Sequence, residues 1–183
     1  MRTALTLLAL LGILLFVSQA RAEEARVSEI RISLDGDRVL AAFTLRDAFD
    51  RRLARRLESG LPTSILYRLE LHRDRKRWYD DKLQKNTLEA IALYDAVARA
   101  YTINFRLDDK LIESRTVRDR QAAEEAMTQI GPLPVFSVAG LPRRPRLLIK
   151  VQAELGTRNL LSFIPIAIET DWKESPKFRP PGP

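Results

Sequence analysis

Residues 57–101 open with Leu57-Glu58-Ser59-Gly60-Leu61-Pro62 and run on to Tyr101. The opening reads as a helix end passing into a strand, because Gly60 can take the left-handed conformation that closes a helix and Pro62 cannot continue one. Ile65, Tyr67, Leu69 and Leu71 then recur at every second position, with Arg68, Glu70 and His72 between them. That is the period of a strand with one buried face. A charged tip follows, Arg73-Asp74-Arg75-Lys76-Arg77, and behind it Trp78 and Tyr79 start a return strand. The pattern predicts a long hairpin on which the rest of the domain packs.

Working outward, residues 86–100 fit two patterns. Leu88, Ala90, Ala92 and Tyr94 alternate as a strand, while the alanine content would support a helix to Ala100. The flanking β-formers, Trp78-Tyr79 and Tyr101-Thr102-Ile103-Asn104-Phe105, favour the strand, with a turn over Asp95 to Arg99. Tyr101, Ile103, Phe105 and Leu107 form the next strand, and Asp108-Asp109-Lys110 a turn. Upstream, Asp35-Gly36 separates two alternating runs, which predicts a hairpin with strands over 27–34 and 38–45. Asp47 is expected to cap a helix over 48–59 whose apolar stripe is Phe49, Leu53 and Leu57. Its outer face carries Arg51, Arg52, Arg55 and Arg56, either a solvated face or a cationic stripe for an anionic surface. Asp119 is expected to cap a second helix through Ala122, Ala123, Ala126, Met127 and Ile130, ended by Gly131-Pro132.

Val135, Phe136 and Val138 predict a short strand, Leu147 to Leu155 a longer one, and Ile164, Ile166 and Ile168 a last one reaching Trp172. The fold class that follows is mainly β (α+β), an antiparallel β-sandwich or curved sheet of about eight strands with two short helices.

Residues 1–22 have the anatomy of a signal peptide: Arg2, an uncharged apolar run from Leu5 to Val17, and the small-x-small site Ala20-Arg21-Ala22. An uncleaved inner-membrane anchor is the alternative. The remainder is expected to form one β-rich domain over 23–174 and a disordered proline-rich tail over 175–183. The chain has no cysteine, which in an exported protein points to a periplasmic domain without disulfides. Net charge is +7, and because Arg2 and Arg21 fall in the leader the remainder carries +5. Outside the cytosol the anions on offer are lipid head groups, lipopolysaccharide phosphates and acidic protein faces, so nucleic acid is not expected as a partner.

Reactive groups are sparse. The one histidine, His72, falls on the polar face of its strand and is expected to be exposed. Without cysteine partners it makes a transition-metal site improbable, and no glycine-flanked serine accompanies it. The glycines never cluster into a phosphate-cradling loop. Asp80-Asp81 and Asp108-Asp109 are adjacent pairs, whose members point to opposite faces of a strand or sit in a turn. They read as surface and turn acids rather than as a convergent catalytic pair or a calcium site. No catalytic residue, metal ligand or cofactor is therefore expected. What stands out is the basic and aromatic tip, Arg73, Arg75, Lys76, Arg77, Trp78 and Tyr79, the candidate binding residues. The plainer reading is a charged tip that resists edge aggregation, with Trp78 in the core.

The signal peptide, Glu58-Ser59-Gly60-Leu61-Pro62, Arg77-Trp78-Tyr79-Asp80, Tyr94-Asp95 and Tyr101 together resemble the exported proteobacterial family catalogued as domain of unknown function 4390. The resemblance covers the domain up to Trp172. It implies an exported β-rich domain with no assigned activity, from genes lying beside a membrane histidine kinase of the nitrogen-sensing type. The expectation is a periplasmic, non-enzymatic binding or accessory module acting through a sheet surface and the basic tip. Its partner would be an envelope or membrane protein such as a sensor histidine kinase, with an anionic lipid surface as a further contact. The alternatives are a carrier holding an apolar or lipid ligand between sheet and helix, and a hydrolase using carboxylates alone.

Overall fold

The computed structural model describes residues 24–75, 80–141, 145–160 and 164–180. The leader, and the tip residues Lys76, Arg77, Trp78 and Tyr79, lie outside the described residues.

The long strand anticipated after Pro62 is β3, Thr63–Arg73. Ile65, Tyr67, Leu69 and Leu71 all point inward and are fully buried. β3 pairs on one side with β4 (Asp81–Asp95), so residues 86–95 are strand. On its other side it pairs with β8 (Leu147–Leu160), more than seventy residues later in sequence. Outward from β4 come β5 (Ala100–Leu107) and β6 (Lys110–Val117), joined by a two-residue turn in which Asp108 and Asp109 both take positive φ. β8 also carries β9 (Ile164–Glu169) and β10 (Lys173–Glu174), giving a seven-stranded antiparallel sheet.

The second sheet has three strands in the order β1 (Arg26–Asp35), β2 (Arg38–Arg46), β7 (Gln129–Ser137). Its first hairpin turns at Gly36, where φ is +57°, as the aspartate-glycine signal requires. Val39, Ala41, Phe43 and Leu45 of β2 face the inner side of the large sheet. Phe43 meets Tyr67 edge-on with ring centroids 5.0 Å apart. The Tyr67 hydroxyl donates to the Met127 carbonyl at 2.7 Å, so one buried side chain ties both sheets to a helix. Burial holds that phenol protonated far above its ordinary range. Along one seam Gln84 and Asn86 of β4 donate to the carbonyls of Ser137 and Val135 at 2.8 and 2.6 Å, covering the edge of β7.

Both helices differ from expectation at one end. α1 spans Arg51–Glu58 and is capped by Asp50, whose carboxylate accepts from the Arg52 and Leu53 amides. Asp47, the expected cap, instead takes φ +57° and pairs with Arg26 at 3.3 Å. That left-handed residue redirects the chain and delays the helix by a turn. Gly60 closes α1 at φ +74°, as its position implied. α2 spans Arg120–Thr128 and starts at Asp119 as expected, but Gly131 and Pro132 fall inside β7 rather than ending the helix. β7 is an edge strand, where proline's missing amide is tolerated. Ala123 and Met127 of α2 are buried, and the helix lies against β4 and β5. The small Ala90 and Ala92 there leave depth for it.

Ten strands are present among the described residues, against about eight anticipated. β6 gave no signal in the sequence. It is an edge strand with Leu111 and Ile112 exposed, so it has no buried face to impose alternation. The segment after Trp172 also differs from a disordered tail. Phe178 exchanges backbone hydrogen bonds with Leu147, each 2.8 Å, and the Ser175 hydroxyl accepts the Ile149 amide at 3.0 Å. Residues 173–178 strap the edge of β8, and Pro180 is buried.

Candidate functional site

The outer face of the large sheet carries a row of charges where β4, β3, β8 and β10 run side by side. Register sets Lys85 beside Glu70, Glu70 beside Lys150, and Lys150 beside Glu174. One register step toward the tip, a bulge after Leu71 brings His72 opposite Lys82, with Leu148 on its other side. The residues of β3 that alternate outward therefore converge with groups from strands far apart in sequence.

His72 is 7% exposed, which corrects the expectation of an exposed histidine. It does lie on the polar face, but neighbours on β4 and β8 close over it. Its Nε2 sits 2.8 Å from Oε2 of Glu70, the donor to that carboxylate. Nδ1 of His72 and Nε of Arg73 are buried with no hydrogen-bond partner among the described residues. Glu70 also accepts from Lys82. Burial by itself pushes the Glu70 carboxyl up, but the hydrogen bonds from Lys82 and His72 outweigh it and hold the group below its ordinary value. Lys150 moves the other way: Glu174, 2.8 Å away, raises it, and burial opposes that only in part. Both groups keep their charges through neutral pH, which suits recognition better than proton transfer.

Of the six tip residues singled out from sequence, Arg73 and Arg75 are placed at the base of this hairpin. Arg75 pairs with Asp81, and its amide donates to Asp80 at 3.3 Å. Asp80 in turn lies 3.8 Å from Lys150. Lys177 of the C-terminal strap pairs with Asp74 at 2.8 Å. Further down β3, Arg68 donates to Glu169 and Glu154, both at 2.6 Å. Asp108 is likewise engaged, exchanging hydrogen bonds with the Thr87 backbone. Among the described residues no cluster of three or more metal-ligating side chains occurs.

The family model described as domain of unknown function (DUF4390) matches residues 22–178. The chain belongs to that family. No curated protein and no solved structure matches it. In this DUF4390 domain the matched range ends at Phe178, the residue that bridges to Leu147, so the strap on β8 lies within the family's common extent.

Glu70, Lys82, Lys150, Glu174, Asp74 and Lys177 were missed as site residues. The available signal was the outward alternation of opposite charges on β3 and β8, Arg68 and Glu70 against Lys150 and Glu154. It becomes legible only once those two strands are known to be neighbours. The arginines of α1 divide: Arg52 donates to the Leu155 carbonyl at 3.1 Å and Arg56 to the Pro62 carbonyl at 2.9 Å. Arg51 and Arg55 have no partner among the described residues.

Proposed function

We propose that this DUF4390 domain is an exported, periplasmic, non-enzymatic binding module. It acts on a protein of the cell envelope through the outer face of its large sheet and the base of the β3–β4 hairpin. The observation that carries the reading is the charge row itself. Glu70, Lys82, Lys150, Asp80 and Glu174 are held by cross-strand pairs on an open sheet face, with Arg75 and Asp81 at its end. Charges fixed in this way give a partner a preorganised pattern of both signs, which governs specificity and encounter rate. The inner face supports contact rather than carriage, because the space between the sheets is occupied by large buried side chains such as Tyr67, Phe43, Phe105 and Met127. No helix among the described residues is long and apolar enough to cross a membrane.

The test is photocrosslinking in intact cells from a photoreactive residue placed at Arg75. A discrete adduct with an envelope protein, lost on charge reversal at Lys82 and Lys150, is expected. Recovery of the uncrosslinked monomer alone would sink the proposal.

A further inference from the structure

At the other end of β3 from the hairpin base, the topology gathers segments that carry exposed apolar side chains and arginines. Val97 is 97% exposed, Leu61 54% and Tyr94 39%. Val97 tops the β4–β5 turn, which is held in shape: the Asp95 carboxylate accepts the Val97 and Ala98 amides at 2.8 and 3.0 Å. Arg99 closes the turn at φ +51°. The loop after α1 lies against this turn's base, since a Cβ at Gly60 would stand 3.5 Å from the Tyr94 ring. The Tyr94 ring leans on Tyr101, centroids 4.9 Å apart, which fixes it in place.

Around these groups the cations outnumber their partners. The side chains of Arg51, Arg55, Arg99 and Arg118 are exposed and make no hydrogen bond or ion pair among the described residues. The nearby acids are already engaged. Asp50 and Asp119 cap α1 and α2, Glu58 lies 3.4 Å from Arg120, and Asp95 is used by the turn.

We propose that this end docks on the surface of an anionic phospholipid bilayer, with Ala96, Val97 and Ala98 entering the head-group boundary and the four arginines on lipid phosphates. A rigid turn with an apolar summit, at the same end of the large sheet as four unpaired guanidinium groups, matches the two layers of such a surface. Apolar atoms gain by leaving water at the acyl boundary, and arginine forks bind phosphate oxygens in pairs. An acidic protein would use the arginines but has no need of a projecting apolar turn. The inference goes beyond the protein-binding face described above and sets its orientation. β3 has eleven residues, so the hairpin base would stand roughly 35 Å from the lipid.

The chain contains no cysteine, so a single Val97→Cys can carry an environment-sensitive fluorophore in the full chain, with Lys110→Cys, at the far end of β5 and β6 from that turn, as the reference. With vesicles of phosphatidylglycerol and phosphatidylcholine, the label at 97 is expected to shift blue and be quenched from within the lipid, while the label at 110 does neither. Binding read at 97 should weaken about fivefold for each of Arg51→Gln and Arg55→Gln. It should also weaken with added salt. Four results would overturn the proposal. They are an unchanged label at 97, which includes binding made solely through residues 1–22; an equal response with phosphatidylcholine alone; a response at 110 in place of 97; and a response to a polyanion but not to vesicles.

Discussion

The two ends of β3 handle charge in opposite ways. At the hairpin base the acids hold most of the cations around them: Glu70 holds Lys82 and His72, Glu174 and Asp80 hold Lys150, Asp81 holds Arg75 and Asp74 holds Lys177. At the end where the loop after α1 lies beside the β4–β5 turn, the acids are spent on caps and turns and several arginines have no acid to answer them. The first arrangement is internally neutralised: it contributes to stability and offers a partner protein a fixed pattern of both signs. The second contributes little to the fold and is available to an outside anion. A cluster of cations in a sequence therefore says little about binding until the acids around it are located.

The sharpest contrast is apolar. Leu71 is fully buried beneath the hairpin base, whereas Leu61 is exposed beside the turn. Leu71→Ala should destabilise the domain by about 3 kcal/mol in urea denaturation, since it loses both burial and packing. Leu61→Ala should stay within about 0.5 kcal/mol. Comparable losses at both positions would mean that the turn end is part of the core after all.

Glu70→Gln comes next. It removes a charged acceptor from two donors, and a loss of about 2 kcal/mol near neutral pH is expected. The pH dependence has a definite sign. Glu70 titrates lower in the folded chain than its ordinary 4.5 because Lys82 and His72 favour the carboxylate. Its contribution is therefore present above the unfolded value and lost as pH falls through the folded one. The gap between parent and Glu70→Gln should narrow on acidification below about 4.5. A gap that stays constant to lower pH would show that the pair contributes through shape rather than charge.

Ser175→Ala tests whether the strap belongs to the folded unit. The Ser175 hydroxyl is what satisfies the Ile149 amide, and truncation leaves that donor buried. A loss of about 1 kcal/mol is expected, with slower hydrogen exchange at Ile149 in the parent than in the variant. No change in either would return residues 175–180 to the status of a loose end.

These contrasts also separate what the chain discloses locally from what it does not. The β1–β2 hairpin, β3, β5 and the start of α2 follow from neighbours in sequence: Asp35-Gly36, a period of two, and Asp119. β6 escapes because an edge strand with Leu111 and Ile112 in solvent has no buried face to write a pattern. The burial of His72 escapes because it depends on a bulge after Leu71 and on Leu148 lying next door, a relation across more than seventy residues. The strap escapes because a proline-rich composition argues for extension, and extension is also what pairing with β8 requires. Two of the six tip residues, Arg73 and Arg75, are placed near the proposed face. The groups that give that face its character come from β4, β8 and β10.

The smallest expected effect on stability carries the most weight for function. Arg51 and Arg55 lie on the outer side of α1, beside Asp50, which is committed to the helix cap. They sit four apart and repel slightly, and neither has an acid to hold it. Arg51→Gln with Arg55→Gln should therefore leave the unfolding free energy unchanged to within about 0.5 kcal/mol, or raise it a little by relieving the repulsion. A loss above about 1 kcal/mol would mean that the pair has a structural partner, and the contrast between the two ends would collapse. An unchanged stability, together with weakened vesicle binding, would mean that these two charges are kept for a surface outside the molecule, because nothing inside it uses them.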